Sequence, residues 1–258
     1  MIPKKIHYCW LSGDPFPELI EKCIASWKVY LPDYEFILWD TNRFPIDDNT
    51  WVKQAFETKK YAFAADYIRL YAIYNEGGIY LDTDIEIVKS FDPLLRLPYF
   101  IGSEGEQIIE AGVFGAKKGA TWLSDCLEHY KDRSFIKEDG SFDTLTLPRI
   151  MMQQIQKNHS ISEMKNPVVA ELSYHAEDTE LQMFPEDFFC AKNHGTGVIE
   201  KTKNTFSIHH FAMSWLPKKR TFLPNLKRKL MSFFGVGFIN GIIRIFGLRK
   251  LKKVLSKQ

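Results

Sequence analysis

Four charged residues within one short stretch have the types and spacing that chemistry at a charged substrate requires. Residues 62–84, AFAADYIRLYAIYNEGGIYLDTD, place Asp66 and Arg69 three residues apart, and Asp82 and Asp84 two residues apart. Paired carboxylates suit the hard cations Mg²⁺, Mn²⁺ and Ca²⁺. An arginine beside them supplies a fixed positive charge for an anionic group. The combination is typical of a site that holds a divalent metal and a negatively charged leaving group.

The elements around these residues are predicted from their apolar spacing. Aromatic and aliphatic residues recur at helical intervals over 61–75 without an internal Gly or Pro, which predicts a helix. Gly77 and Gly78 follow, as expected where a helix ends in a left-handed cap. The apolar run 79–81 predicts a buried strand, so Asp82-Thr83-Asp84 lies at its carboxyl end. Ligands bind at that end of the strands in open α/β sheets.

Each charged pair also has a structural alternative. Asp66 and Arg69 share a helix face, so they are also consistent with a local salt bridge on a solvated surface. Asp82 and Asp84 point to the same side of an extended segment, where they repel unless a cation or a bend relieves them. The glycine turn and the strand that join the two pairs favour the functional interpretation.

Composition indicates a globular protein of a reducing compartment. A chain of 258 residues, 45% hydrophobic and 14% aromatic, is long enough for one α/β domain with an appendage. Four cysteines at 9, 23, 126 and 190 include no C-x-x-C pair and are expected to be buried thiols. No apolar segment follows the first lysines, so we predict no signal peptide and a cytoplasmic location.

The charge distribution divides the sequence into two parts. Residues 217–258 contain twelve of the 34 basic residues and none of the 32 acidic ones, so residues 1–216 carry net negative charge. An acidic body argues against nucleic acid as a partner. We therefore predict a catalytic domain at 1–216 and a basic amphipathic tail at 217–258. The tail lacks ~20 consecutive apolar residues and suits an anionic membrane surface, on the inner face of the membrane. A helical hairpin packed on the body is the alternative.

The rest of the pattern alternates strands and helices. Strands are predicted at 5–11, 34–39, 99–103 and 111–116, and helices at 17–29 and 121–131. This order indicates a mostly parallel sheet with helices on both faces. The irregular polar segments 137–146 and 165–180 are predicted to shape an acceptor site.

Two adjacent histidines stand near the end of the body, in SIHHFAMSW at 207–215. A single His in an apolar stretch is usually a core residue, and spacing alone does not decide between that role and a ligand. An imidazole here would be able to complete a Mn²⁺ shell that the aspartates begin.

These segments together resemble the glycosyltransferases that carry the DXD sugar-binding motif, known as glycosyltransferase family 32. That family includes the yeast initiating α-1,6-mannosyltransferase and bacterial capsule and lipopolysaccharide enzymes, and it is distantly similar to the clostridial glucosylating toxins. The segments that carry the resemblance cover the body in the family's order: IPKKIHYCWLSG at 2–13, YEFILWD at 34–40, AADYIRLYAIYNEGGIYLDTD at 64–84 and IHHFAMSW at 208–215. The resemblance implies a GT-A fold, with a nucleotide-binding α/β sheet beside an acceptor face.

The resemblance also implies roles for individual residues. Trp10 would stack on the nucleotide base, with the backbone near Tyr8 at the base edge and Asp40 near the nucleoside. Asp66 would bind hydroxyls of the donor sugar, and Arg69 would bridge sugar and phosphate. The remaining donor and metal contacts would come from Asp82, Thr83, Asp84, His209, Ser214 and Trp215, with Asp82, Asp84 and His209 around Mn²⁺ or Mg²⁺. The family often has an Asn where this chain has Ala111-Gly112, so no acceptor contact is assigned there.

The expected activity is transfer of a hexose, with retention, from a nucleotide diphosphosugar to a glycan or lipid-linked glycan in bacterial surface polysaccharide synthesis. A UDP-sugar is favoured, and GDP-mannose is the alternative. Asp-x-Asp after a strand also occurs in metal-dependent phosphohydrolases, but Glu86 stands where those enzymes need Thr or Val. A membrane-bound glycan-binding protein without activity is the third hypothesis.

Overall fold

The computed structural model describes residues 1–106, 108–175, 179–193 and 196–212. Ser214, Trp215 and the whole basic tail at 217–258 lie outside the described residues. The donor contacts predicted for these two residues and the membrane contact predicted for the tail therefore stay predictions. The tail's alternative arrangement, a hairpin packed on the body, stays open with them.

Nine strands in the described ranges form two sheets. They are β1 Lys5–Cys9, β2 Glu35–Trp39, β3 Gly78–Leu81, β4 Ile85–Ile87, β5 Tyr99–Ser103, β6 Ile109–Ala116, β7 Ser160–Glu163, β8 Glu180–Phe184 and β9 Ser207–His209. The main sheet has the order β2-β1-β3-β6-β5-β8-β7, and β4 pairs with β9 separately. In the main sheet β6 is antiparallel to β3 and β5, while the other neighbours are parallel. The predicted mostly parallel sheet is confirmed.

In the part of the chain that the structure describes, six α-helices flank this sheet: α1 Glu18–Tyr30, α2 Thr50–Glu57, α3 Tyr61–Glu76, α4 Thr121–Glu128, α5 Leu147–Ile155 and α6 Glu186–Phe189. Trp27 of α1 contacts Tyr8 of β1 with ring centroids 5.3 Å apart. The guanidinium of Arg69 in α3 lies over the ring of Tyr80, which pairs with His7. Adjacent residues of a strand point to opposite faces, so α1 and α3 cover opposite faces of the sheet.

Helix α3 packs closely on the sheet because the side chains that it buries there are apolar and include small alanines. Ala64, Ile68 and Ala72 are fully buried, and small side chains allow the helix to approach the strands. The helix ends at Gly77, whose φ is 66° and ψ 177°. The predicted left-handed cap is therefore wrong in ψ, although the positive φ still favours glycine. A Cβ at Gly77 would lie 2.8 Å from the backbone nitrogen of Lys118.

An interruption between β5 and β6 shapes the centre of the sheet. Ile101 is opposite Phe114, but the next residue, Gly102, is opposite Glu110. Residues 111–113 therefore bulge out of the pairing with β5 while they follow β3. The Asp82 amide donates to the Gly112 carbonyl at 2.8 Å. A bulge of this kind redirects side chains near functional sites.

The described chain divides into two compact units. One comprises Met1–Ala191 and Lys201–His210 and contains all of the elements named above. The described part of the other comprises residues 192–193, 196–200 and 211–212, in which an isolated antiparallel bridge joins Lys192 and Ile199. The predicted boundary between 216 and 217 stays a prediction.

Candidate active site

Arg69 forms ion pairs with two carboxylates, those of Asp66 and Asp82. Its Nη2 lies 3.2 Å from Asp66 Oδ1, and its Nη1 lies 3.2 Å from Asp82 Oδ2. The same Nη1 donates to the Ala111 carbonyl at 2.9 Å. Asp66 and Arg69 are only 8% and 6% exposed, so the alternative of a salt bridge on a solvated surface is wrong. The pair instead fixes one carboxylate of the Asp-x-Asp motif in place.

Burial and shared charge change how these groups titrate. Burial raises the pKa of Asp66 to about 7, although the positive charge of Arg69 opposes the change. Burial works against the charged guanidinium too, but Asp82, Tyr80 and Asp66 raise the pKa of Arg69 well above its usual value. One permanent cation therefore contacts the buried carboxyl group of Asp66 and the partly buried carboxyl group of Asp82.

The Asp-x-Asp segment is a turn. The Ile85 amide donates to the Asp82 carbonyl at 3.0 Å, which closes a turn over Thr83 and Asp84. The motif is therefore a turn and not the extended segment considered from the sequence, and ligand atoms of its two carboxylates still lie within 4.8 Å of each other. Tyr80 donates its hydroxyl to Asp82 Oδ1 at 3.0 Å. Trp27 Nε1 donates to the Ile85 carbonyl at 2.7 Å and ties the turn to helix α1.

The small sheet of β4 and β9 brings His209 to this turn. Ile85 pairs with His209, and the His210 amide donates to the Asp84 carbonyl at 3.1 Å. As a result His209 Nε2 lies 3.5 Å from Asp84 Oδ1. The other imidazole of the pair, His210, turns to Glu86, with Nε2 and Oε2 2.8 Å apart. His209 and His210 therefore have different partners, and His209 is the one beside the motif.

Two sets of side chains have the spacing of a metal site. Ligand atoms of Asp82, Asp84 and His209 lie within 4.8 Å of one another, and so do those of Glu110, Cys190 and His209. The first set offers two carboxylates and an imidazole and is partly exposed, which suits Mn²⁺ or Mg²⁺ with retained water. In the second set Glu110 and Cys190 are buried, and burial raises the pKa of the Cys190 thiol far above its usual value. The first set therefore fits a hard cation and the second does not.

Two residues that the sequence did not single out complete the site. Glu110 is 1% exposed, accepts a hydrogen bond from the Gly112 amide at 2.6 Å, and has its Oε2 2.9 Å from His209 Nδ1. Burial would raise the pKa of Glu110, but the imidazole of His209 and these hydrogen bonds hold it below its usual value. A Cβ at Gly112 would lie 2.8 Å from Glu110 Oε1, 3.0 Å from Asp82 Oδ2 and 3.1 Å from His209 Cε1. Gly112 thus leaves the space in which three functional side chains meet.

The residues expected at the nucleoside lie at the same edge of the sheet, after β1 and β2. Trp10 is partly exposed, donates Nε1 to the Asp14 carbonyl at 2.7 Å and packs on Phe16. Tyr8 is half-buried against Trp27. Asp40 caps its own turn, since its Oδ1 accepts the amide of Arg43 at 3.0 Å. The structure brings together Asp66, Arg69, Asp82, Asp84 and His209, with Tyr8, Trp10 and Asp40 at neighbouring strand ends.

Comparison with known proteins defines the class of this site. Residues 17–101 match the family described as "Glycosyltransferase sugar-binding region containing DXD motif". The matched part contains Asp66, Arg69, Asp82 and Asp84. The predicted resemblance is confirmed over residues 17–101, which are similar to the sugar-binding region of the DXD glycosyltransferases. The mostly parallel, helix-flanked sheet is the one that the resemblance implied.

Several individual proteins are similar to the chain over part of their own length. The chain is 33% identical to inositol phosphoceramide mannosyltransferase 3 of Schizosaccharomyces pombe over 47% of this chain and 35% of that protein. It is 25% identical to mannosyl phosphorylinositol ceramide synthase CSH1 of Saccharomyces cerevisiae over 96% of this chain and 61% of that protein. The chain thus spans less than two thirds of these relatives. Among solved structures, the PaToxG glycosyltransferase is similar with a TM-score of 0.47 and 21% identity, covering 60% of this chain and 68% of that one.

Two further predictions concern the thiols and the membrane. The four cysteines are buried thiols, as predicted. Among the described residues, no helix has the length and apolar character needed to cross a bilayer.

Proposed function

We propose that this chain is a metal-dependent, retaining glycosyltransferase that transfers a hexose from a nucleotide diphosphosugar to an acceptor hydroxyl. The observation that carries the proposal is the convergence of Asp82, Asp84 and His209, with ligand atoms within 4.8 Å, beside the buried Arg69–Asp66 pair. The matched sugar-binding region supports the same reaction class. The protein would hold Mn²⁺ or Mg²⁺ through these three side chains.

The barrier lies in breaking the anomeric C–O bond, as negative charge grows on the departing diphosphate. When bound, the divalent ion supplies Lewis-acid stabilisation of that charge. Arg69 adds a permanent cation whose position three hydrogen-bonding partners fix, so little reorganisation is needed as the charge develops. Asp66, next to Arg69, is assigned to the hydroxyls of the donor sugar. Tyr80 and the closed turn keep Asp82 oriented.

Retention is proposed to occur by attack from the face that the leaving group vacates. The acceptor hydroxyl forms the new bond to the anomeric carbon as the diphosphate leaves. Its proton passes to a phosphate oxygen of the leaving group. This route requires no enzyme carboxylate to form a covalent bond to the sugar, which is in keeping with the engaged carboxylates of Asp66 and Asp82.

The identities of the donor and of the acceptor are more specific proposals. Two of the relatives have names that specify mannose and inositol phosphoceramide, which favours GDP-mannose over the UDP-sugar predicted from the sequence. A lipid-linked or glycan acceptor at an anionic membrane surface, in surface polysaccharide synthesis, remains the proposal for the second substrate. The tail at 217–258 is proposed to provide the membrane contact.

A donor screen tests this function. Purified protein is incubated with GDP-mannose, UDP-glucose, UDP-galactose or CMP- and dTDP-sugars, with and without Mn²⁺, and free sugar and nucleotide are quantified. We expect slow metal-dependent release of sugar from one donor, together with a rise in melting temperature for that donor. Release of inorganic phosphate instead would support the phosphohydrolase, and no release with any donor would support the non-catalytic hypothesis.

The Asp84→Asn variant tests the metal role directly. It keeps the side-chain volume but removes one anionic ligand. Sugar release should fall at least ~100-fold, which corresponds to about 2.7 kcal/mol of barrier. Asp33→Asn, at an exposed position, is the matched control and should retain wild-type turnover. Wild-type turnover in Asp84→Asn would exclude the metal role.

A further inference from the structure

Glu110 contacts the candidate metal set through a single side chain, His209. Its Oε2 lies 2.9 Å from His209 Nδ1, and the opposite ring nitrogen, Nε2, lies 3.5 Å from Asp84 Oδ1. The imidazole therefore spans the distance between a fully buried carboxylate and the Asp-x-Asp turn. The two ring nitrogens of His209 have different surroundings. The hydrogen bond that one nitrogen makes determines whether the other is protonated or able to bind a metal.

The hydrogen bonds of Glu110 indicate that it acts as a hydrogen-bond acceptor toward the imidazole of His209. Its Oε1 accepts the Gly112 amide at 2.6 Å, and a backbone amide can only donate. An ionised Glu110 accepts at Oε2 as well, so the 2.9 Å contact with His209 is then made by a proton on Nδ1. A neutral ring protonated at Nδ1 has its lone pair on Nε2, on the side of Asp84. A carboxylate behind a ligating histidine fixes its tautomer and increases its basicity.

We propose that Glu110 is a positioning residue that fixes the ring and the tautomer of His209, so that Nε2 is presented to a divalent cation with Asp82 and Asp84. The inference rests on the proposed metal-dependent function. Glu110 itself does not enter the cation's shell in this arrangement, because both of its oxygens are engaged by Gly112 and His209.

The bulge in β6 explains why Glu110 is available for this contact. Glu110 pairs with Gly102 of β5, while Gly112, two residues later, follows β3. The bulge places the Gly112 amide on Glu110 and leaves no side chain between Glu110, Asp82 and His209.

The chain provides a matched control. His210, the next residue, contacts Glu86 with Nε2 and Oε2 2.8 Å apart. The two pairs join the last residue of β9 and the residue after it to a glutamate, but neither Glu86 nor His210 belongs to a candidate metal set in the described residues. Glu110→Gln and Glu86→Gln therefore make the same chemical change in two neighbouring Glu–His pairs.

The test measures Mn²⁺ binding to the full chain by the electron paramagnetic resonance signal of free Mn²⁺. We expect Glu110→Gln to weaken binding about 10- to 100-fold, because the amide no longer enforces protonation at Nδ1. Glu86→Gln should bind as the wild type does. Wild-type affinity in Glu110→Gln would overturn the inference. Absence of Mn²⁺ binding in the wild type would overturn the proposed function as well, so the two failures are distinguishable.

A double-mutant cycle separates positioning from the bare effect of a negative charge. His209→Asn places an amide donor near the former Nδ1 and removes Nε2. If Glu110 acts through His209, adding Glu110→Gln to His209→Asn should weaken Mn²⁺ binding no further, since the two changes are coupled. An equal loss in both backgrounds would show that Glu110 acts by charge alone and would overturn the positioning role.

A second measurement needs no Glu110 variant and so does not depend on that variant folding. Long-range ¹H–¹⁵N spectra of the Mg²⁺-loaded wild type report the tautomer of each histidine ring. The His209 signals are identified by their absence in His209→Asn. We expect a proton on Nδ1 and none on Nε2. A protonated Nε2 in the Mg²⁺-loaded protein would overturn the inference.

Discussion

The guanidinium of Arg69 and the carboxylate of Asp82 are 3.2 Å apart in a site where Arg69 is 6% exposed. The same guanidinium is also 3.2 Å from Asp66 and donates to the Ala111 carbonyl. Helix α3, the end of β3 and the bulge of β6 therefore meet at one side chain. Because it is buried, this contact is little screened by solvent, in contrast to an ion pair on the surface.

Replacing Arg69 by Lys should disrupt both the fold and the site. A single ammonium cannot reproduce the planar set of donors that reaches two carboxylates and a carbonyl. We expect a loss of about 1–3 kcal/mol in the free energy of unfolding, measured by urea denaturation, and loss of the donor-dependent melting shift. Arg43→Lys changes an exposed pair with Glu76 and should cost less than about 1 kcal/mol. Equal effects of the two changes would contradict this account.

Gly112→Ala should damage the site by steric contact. The new Cβ would lie within 2.8–3.1 Å of atoms of Glu110, Asp82 and His209. These buried groups have to shift, at a cost of about 1–3 kcal/mol in the free energy of unfolding, and Mn²⁺ binding should weaken. Gly140→Asn is the control, since a Cβ there meets nothing within 4 Å and Asn tolerates its positive φ. A variant Gly112→Ala with wild-type Mn²⁺ affinity would contradict the close approach.

His7 should remain neutral in the folded protein at pH values well below 6.5, the ordinary pKa of a histidine. Its Nδ1 accepts from Trp39 Nε1 at 2.9 Å and its Nε2 lies 2.9 Å from the Gly77 carbonyl. Burial lowers the pKa of His7 to about 4, although the hydrogen bond to Gly77 opposes this. The unfolded chain takes up the proton near pH 6.5, so the stability from neutral His7 is complete above that pH.

This stability is lost as the pH falls from about 6.5 toward 4. The steepest slope expected from one such group is ~1.4 kcal/mol per pH unit. An NMR titration of the histidine rings measures the effect directly, with urea midpoints at each pH as the thermodynamic counterpart. A His7 ring that titrates near pH 6.5 in the folded protein would contradict the prediction.

Asp66 should give the opposite pH dependence. Its pKa is raised to about 7, so the folded state retains a proton that the unfolded chain loses near pH 3.8. The contribution of Asp66 to stability is therefore complete at pH 3.8 and below, and it declines as the pH rises toward 7. Relative to Asp66→Asn, the wild type should lose stability with a slope of at most ~1.4 kcal/mol per pH unit. Parallel pH profiles of the two proteins would show that Asp66 titrates normally.

Much of the fold was predictable because its signals are local. The helix α3, the strand β3 and the glycines between them were predicted within one or two residues, since each depends on spacing along a single element. Helices α2, α5 and α6 and strands β4, β7, β8 and β9 were not predicted. Strands β4 and β9 are three residues each and depend on pairing with each other across the sequence, so no local pattern specifies them.

The sequence by itself determined that Asp66 and Arg69 share a helix face and that two aspartates follow a buried strand, because helical and extended periodicities act over a few residues. The tertiary structure alone decided that the aspartates lie in a closed turn, that His209 meets Asp84 and Glu110, and that Gly112 leaves space for them. Those contacts join residues far apart in the chain. They depend on the register of β4 with β9 and on the bulge of β6, which only the packed sheet fixes.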